Sequence, residues 1–286
     1  MNTVNWDEVL LRASCAGKVM TESKGSVITE KQLEMIATLK QKEKRTPLQD
    51  VTLMDLEIKR DSPPKLSDTC ISYLKEVYIF QKYGKESVGG SERSKYTMKG
   101  KAVEDESIMM LSRLDEKEYL KNELRLNDNF FTGEADILYN YNQDANTCDF
   151  IKDIKSSWDF STLLSNIGSP LNSMYWWQGQ VYMELYGARE YEVAYCLTNM
   201  PQDMIDSEKF RIFRILNAVT EESPDYLKEV AKMEFNYTFD EIPISERIVK
   251  FPFQKDDAAI DKLKTKWQEC RKWLAEFDKQ HTLLHN

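Results

Sequence analysis

Two short acidic phrases constrain this chain more than anything else in it. The first is Gly133-Glu134-Ala135-Asp136; the second, Asp153-Ile154-Lys155, follows a gap containing the turn-like run Asn142-Gln143-Asp144-Ala145-Asn146. Side chains on a strand alternate faces, so residues two apart share one. On a strand, Asp153 and Lys155 point one way, and Phe150, Lys152 and Ile154 the other. If the two segments pair as a hairpin, Asp136 reaches the same edge. Two carboxylates there offer oxygen ligands to a hard divalent cation, and an ammonium beside them can orient or help activate a water. Such a set suits phosphodiester hydrolysis, where the cation polarises the phosphoryl group and lowers the pKa of the water.

The flanking pattern places these phrases in a larger order. Thr29-Glu30-Lys31-Gln32 is a capping-box pattern that opens a helix to about Lys44, with Pro47 as its stop. Ser67-Asp68 starts a helix through Ile71, Leu74, Val77, Tyr78 and Gln81, and Gly84 to Ser94 reads as a mobile loop. A helix is expected from about Lys99 to Leu114. On it Ile108 and Leu111 fall four and seven positions after Glu104, so Glu104 shares the inward stripe and needs a partner or a metal. Phe130–Tyr141 and Cys148–Ser156 read as strands, Ser157–Ser173 as loop, and Met174–Tyr186 as a helix ended by Gly187. Glu190–Leu197 reads as a strand, Pro201 to Phe239 as mostly helical, and Ala258–Gln280 as a long helix. The order helix, strand, strand, helix, strand predicts an α/β (α+β) fold: a central mixed sheet flanked by helices around one buried core. Residues 1–286 read as a single domain, with a mostly helical part at 1–95, the core at 96–200 and a helical part at 201–286.

Composition closes off several chemistries. The only histidines are His281 and His285, so a Ser-His-Asp triad is disfavoured and any catalysis must run on carboxylates, lysine, tyrosine and metal. Cys15, Cys70, Cys148, Cys196 and Cys270 are scattered and form no Cys-x-x-Cys pair, which argues for free thiols in a reducing cytoplasm rather than a zinc site or disulfides. No apolar run approaches the ~18–20 residues that span a bilayer, and the start carries Asp7 and Glu8 rather than the layout of a signal peptide. A net charge of −9 argues against a pure nucleic-acid-binding module. Bases do cluster locally, at Lys40, Lys42, Lys44 and Arg45, and at Lys262, Lys264, Lys266, Arg271 and Lys272. Solvated faces account best for any single cluster. The exception is Lys82, Lys85, Arg93, Lys95, Lys99 and Lys101, which leads into the helix carrying Glu104 and suits a phosphate backbone.

On the helix after the second strand, Gln178 and Tyr182 share a face. Gln178 can hold a water or phosphate oxygen and Tyr182 can do likewise, whereas Trp176, Trp177 and Tyr186 read as core aromatics.

Taken together, Gly100-x-x-x-Glu104, Gly133-x-x-Asp136, Asp153-x-Lys155 and Gln178-x-x-x-Tyr182 resemble the PD-(D/E)XK nuclease superfamily, in its phage lambda exonuclease/YqaJ viral recombinase (RecB-like) branch. Asp153-Ile154-Lys155-Ser156-Ser157-Trp158 and Trp177-Gln178-Gly179-Gln180-x-Tyr182-Met183 are similar to phage-encoded members, and the likeness covers residues 95–200 best. It implies a restriction-endonuclease-like core and a DNA exonuclease acting on duplex ends, 5′ to 3′, in phage-type recombination. It implies magnesium, with manganese substituting, held by Glu104, Asp136, Asp153 and the Ile154 carbonyl. Lys155 would act on the water, with Gln178 and Tyr182 in support, and Arg12 and Ser14 would be candidates for capturing a 5′-phosphate. A ring-shaped homo-oligomer (a trimer), a single-strand annealing partner and a cytoplasmic setting in a bacterial or phage-infected cell are also implied. The chain departs from the pattern with Ala135 where proline is common, and it lacks the four-cysteine spacing of an iron–sulfur cluster. The alternatives are an endonuclease of the same fold, or a non-catalytic DNA-binding or assembly protein. Lys155→Ala is expected to stop turnover with little effect on folding.

Overall fold

Local caps set many of the helix boundaries in the computed structural model, which describes residues 3–23, 28–61, 65–86 and 94–283. The elements run β1 (Leu11–Arg12), α1 (Ala16–Val19), α2 (Glu30–Gln41), α3 (Pro47–Asp61), α4 (Asp68–Tyr83), α5 (Lys95–Ala102), α6 (Glu104–Asp115), β2 (Leu126–Asn127), β3 (Phe131–Gly133), β4 (Ile137–Tyr139), β5 (Phe150–Ser156), α7 (Phe160–Leu164), α8 (Ser173–Tyr186), β6 (Glu190–Cys196), α9 (Gln202–Ile215), α10 (Pro224–Tyr237), β7 (Ile248–Gln254) and α11 (Asp257–Leu283). The Thr29–Gln32 capping box is formed in both directions, Ser67 caps α4, and Gly84 and Gly187 end α4 and α8 in the left-handed conformation. Residues 87–93 of the expected loop, Arg93 among them, lie outside the described residues.

The chain divides into two compact units, one of Met1–Val9, Cys15–Glu86 and Lys262–Asn286, the other of Leu10–Ser14 and Ser87–Asp261. The first is helical. Ile36 and Leu39 of α2 pack on Leu53 and Leu56 of α3. Trp6 stacks on Tyr78 of α4 at 5.4 Å and donates to Asp278 of α11 at 3.1 Å. The fully buried Trp267 donates from Nε1 to the Val9 carbonyl at 2.9 Å.

The second unit is mixed α/β. Its larger sheet has the order β4-β5-β6-β7, with β5 and β6 parallel and the outer pairs antiparallel. A smaller sheet, β1-β3-β2, joins β1 parallel to β3 with Leu11 opposite Phe131 and Arg12 opposite Thr132. Ile137, Ala194 and Cys196 from the larger sheet pack against Ile108, Met110 and Leu111 of α6. A sheet covered by amphipathic helices removes both apolar surfaces from water, the expected layering for this class.

Several boundaries differ from those expected. The 99–114 helix is two helices broken at Val103, whose φ is −109°. The break puts Lys99 and Lys101 in the last turn of α5 and Glu104, Asp105 and Glu106 in the first turn of α6, so each charge set meets the favourable end of a helix dipole. The 130–141 strand is likewise two strands in two sheets. Between them Asn122 takes both carbonyls, its side chain donating to Ala135 O and its N–H to Asp136 O, each at 2.8 Å. Pro47 opens α3 rather than merely stopping α2, because a first-turn N–H has no helical partner to lose. The 157–173 loop contains α7, and β7 was not anticipated.

Candidate active site

The hairpin read from the sequence is present. β4 and β5 are antiparallel with Ile137 opposite Lys152, and Asp136 sits one residue before β4. Its Oδ2 accepts from the Ile154 N–H at 2.6 Å, which locks the half-buried carboxylate against β5. Asp153 is 1% exposed. Its Oδ1 accepts from Gln178 Nε2 at 3.0 Å, and its Oδ2 is ion-paired with Lys155. The sharing of one face by Asp153 and Lys155, forecast from strand alternation, is therefore realised in a contact.

The electrostatics are unbalanced. Burial, and then the adjacent Asp153 carboxylate, push Asp136 up to about 7, against the opposing pull of Lys155 and the Ile154 N–H. Burial alone would lower the Lys155 ammonium; Asp153 and Asp136 outweigh it and hold the group above the usual lysine range. Lys155 Nζ also lies 4.9 Å from the centre of the Tyr175 ring, within cation–π range.

Gln178 and Tyr182 come from α8, both buried. Tyr182 is raised above the usual phenol range by burial and then by Asp153 and Asp136. Gly133 is needed for this approach, since a Cβ there would lie 2.6 Å from Tyr182 Cε1 and 3.0 Å from Ala13 Cβ. Gly179 does the same on the next face, where a Cβ would meet Phe253 Cζ at 2.5 Å. The tight glycines, rather than helix propensity, set how deeply α8 seats behind the acids.

Glu104 is the first residue of α6, and its Oε2 accepts from Lys121 Nζ at 2.9 Å. Among the described residues no three His, Cys, Asp or Glu side chains are drawn together as a preformed metal group. Asp136 and Asp153 are the pair that could hold a cation, and the Asp136 shift marks the charge that a cation would compensate. Glu104 adds to that charge and raises Asp136 slightly further. An exposed pair such as Lys121–Glu104 contributes only about 0–1 kcal/mol, so it costs little to exchange. Ile154 contacts Asp136 through its N–H.

The remaining candidates scatter. Arg12 and Ser14 are exposed, Arg12 on β1 and Ser14 just beyond it. Lys95 and Lys101 are exposed on α5. Lys99 is not presented to solvent: it is 1% exposed and donates to the carbonyls of Ser157, Trp158 and Thr198 at 2.7, 3.0 and 3.3 Å. Burial lowers it to about 8. Sequence reasoning missed Tyr175 and the buried Tyr191, raised by burial and then by Asp153. Tyr175 falls three residues before Gln178, a helical neighbour that the spacing could have revealed.

No protein-family model and no curated protein matches the chain. Solved structures do. A phage-related exonuclease from Haemophilus somnus 129PT superposes with a TM-score of 0.59 at 21% identity, over 96% of this chain and 97% of that one. The alkaline exonuclease LHK-Exo from Laribacter hongkongensis gives 0.51 at 12% identity, over 99% and 100%. LHK-Exo in complex with dAMP gives 0.50 at 12% identity, over 96% and 94%. The fold is that of these exonucleases. The exonuclease fold extends over nearly the whole chain, beyond the 95–200 segment where the sequence resemblance is best, and it agrees with that resemblance and with the mixed sheet flanked by helices. Among the described residues no helix is long and apolar enough to cross a membrane.

Proposed function

We propose that this protein is a divalent-metal-dependent deoxyribonuclease that hydrolyses phosphodiester bonds from the ends of duplex DNA, 5′ to 3′, in a phage-type recombination setting. The observation that carries the reading is the close set Asp136, Asp153 and Lys155, two acids against one base, on and beside the interior strand β5 of an exonuclease fold. Magnesium, when bound, would polarise the scissile phosphoryl group and lower the pKa of the attacking water. Asp136 and Asp153 would hold it, with Glu104 released from Lys121 to join them. Lys155, kept protonated by its acids, orients the water and offsets charge developing on the phosphoryl oxygens. Gln178 fixes Asp153 Oδ1 so that the other oxygen keeps its direction. Arg12 and Ser14 are the candidates for holding a 5′-phosphate, on or next to a strand paired to β3, which leads to Asp136. LHK-Exo has been crystallised with dAMP, and a mononucleotide is the product expected of end-wise cleavage by this protein.

The test is incubation with linear 5′-phosphorylated duplex and with closed circular duplex, in magnesium and in chelator. Magnesium-dependent loss of the linear DNA alone is expected. Cutting of the circle would move the protein to the endonucleases, and no cleavage of either would sink the nuclease reading.

A further inference from the structure

Just past the acid-x-lysine strand lies a cluster that phosphodiester chemistry does not use. Trp158, three residues after Lys155, meets Tyr96 of α5 edge-on, with ring centroids 5.0 Å apart at 71°. Lys95 Nζ stands 4.7 Å from the centre of the Trp158 ring and 5.4 Å from that of Tyr96. Tyr237 backs Trp158 at 6.2 Å. The buried Lys99 explains why the rings stay together: its ammonium donates to the carbonyls of Ser157 and Trp158 and so fastens α5 to the end of β5. Tyr96 is nonetheless 59% exposed, and Lys95 is exposed beside it. An exposed tyrosine ring braced edge-on by a part-buried tryptophan, with a cation beside both, is thus held at the surface by a buried lysine.

The charge around them selects the occupant. The chain carries −9 overall, which disfavours DNA, yet α5 contains Lys95, Lys99 and Lys101 and no acid. An exposed aromatic next to a lysine matches a nucleobase next to its phosphate, because stacking accepts every base and the ammonium meets the backbone.

We propose that Tyr96, Trp158 and Lys95 form a clamp that stacks one unpaired nucleobase and pairs its phosphate, holding single-stranded DNA beside the cleavage site. The clamp rests on reading Asp136, Asp153 and Lys155 as a nuclease centre, since that is what brings DNA to this edge. It makes the protein a sequence-tolerant reader of frayed or single-stranded ends, separately from any capture of a terminal phosphate.

The experiment measures equilibrium binding of a fluorescent oligothymidylate of about ten nucleotides, a length within known single-strand site sizes, by anisotropy in chelator. Wild type is compared with Trp158→Phe, Trp158→Ala and Tyr96→Ala. Trp158→Ala is expected to weaken binding roughly tenfold, the loss of one stacked base, and Trp158→Phe to keep most of it. Because Trp158 is partly buried, the exposed Tyr96→Ala is the safeguard against a folding artefact; it should lose several-fold with an unchanged melting curve. Unchanged affinity in both Tyr96→Ala and a folded Trp158→Ala overturns the clamp, as does binding that does not weaken with salt. Cleavage is scored separately: a protein that binds the oligonucleotide through these residues but never cuts linear duplex in magnesium keeps the clamp and loses the nuclease reading.

Discussion

The two faces of β5 carry the same kinds of side chain and treat them in opposite ways. On one face Lys152 pairs with Asp115 at 3.1 Å and with Glu192, while Lys250 pairs with Asp115 and lies 3.8 Å from Glu192. Two bases meet two acids. Burial would raise Asp115, but Lys250, Tyr119 and Lys152 more than offset it and hold the carboxyl below its usual range. On the other face, among the described residues, Lys155 is the base that Asp136 and Asp153 share, and Asp136 is pushed up to about 7. The matched face is complete as it stands and stabilises the sheet beside a cavity of about 560 Å³. The unmatched face is held in place with charge to spare, which is the condition for taking up a cation. A buried acid–base motif is therefore a functional signal when its charges fail to balance, not merely when they are buried.

Exchanging the two lysines breaks this comparison most sharply. Lys155→Ala should lower the rate of linear-duplex digestion roughly 100- to 10,000-fold, the usual span for a positioned proton-handling group. It should also destabilise the metal-free protein by about 3 kcal/mol, because it strands Asp153, so the expectation of little effect on folding does not survive the ion pair. Lys152→Met should lose stability to the same degree, about 3 kcal/mol in urea melts, with digestion per folded molecule nearly unchanged. Equal rate losses in both variants would erase the distinction between the faces.

Asp136→Asn sharpens it by pH. An aspartate in an unfolded chain titrates near 3.9, whereas Asp136 in the folded protein titrates at about 7. Between these values the folded state keeps a proton that the unfolded state has released, so metal-free stability falls as pH rises through that window. Asn at 136 should flatten that slope and gain about 1–3 kcal/mol at neutral pH, read from urea midpoints at pH about 5 and about 8. Magnesium should raise the wild-type melting temperature at neutral pH and fail to raise that of the variant. The smallest effect belongs to Lys121→Ala, which frees Glu104 at a cost of about 1 kcal/mol or less and should leave magnesium affinity unchanged or tighter by calorimetry.

The site was legible where the signal is local. Strand alternation gives the Asp153–Lys155 pair, and the spacing of four gives Gln178 with Tyr182, because both rules depend only on backbone period. The caps at Thr29, Ser67 and Gly187 were legible for the same reason. What tertiary contacts decide was not. Glu104 lies on the stripe of Ile108 and Leu111, yet its partner is Lys121, far along the chain. β7 was hidden by Pro252, which suits a strand only at an edge, and β7 is an edge of its sheet. β1 is two residues long, too short for any alternation to register. Lys99 looked like a phosphate contact because a lysine beside other lysines does; nothing local announces the carbonyls of Ser157 and Trp158 that take its ammonium.

The sheet order carries a consequence for how the protein comes into being. Asp153 stands on a strand flanked by β6, and β6 is completed by β7, a late segment of the chain. Parallel and other non-local pairings form slowly, and a ribosome delivers the strands from the first to the last. The hairpin that carries the acids is local, but the sheet that supports it is complete only once the chain has been made as far as Gln254. On the proposed function, a chain ended before β7 is expected to digest linear duplex poorly, even though it carries both acids and Lys155.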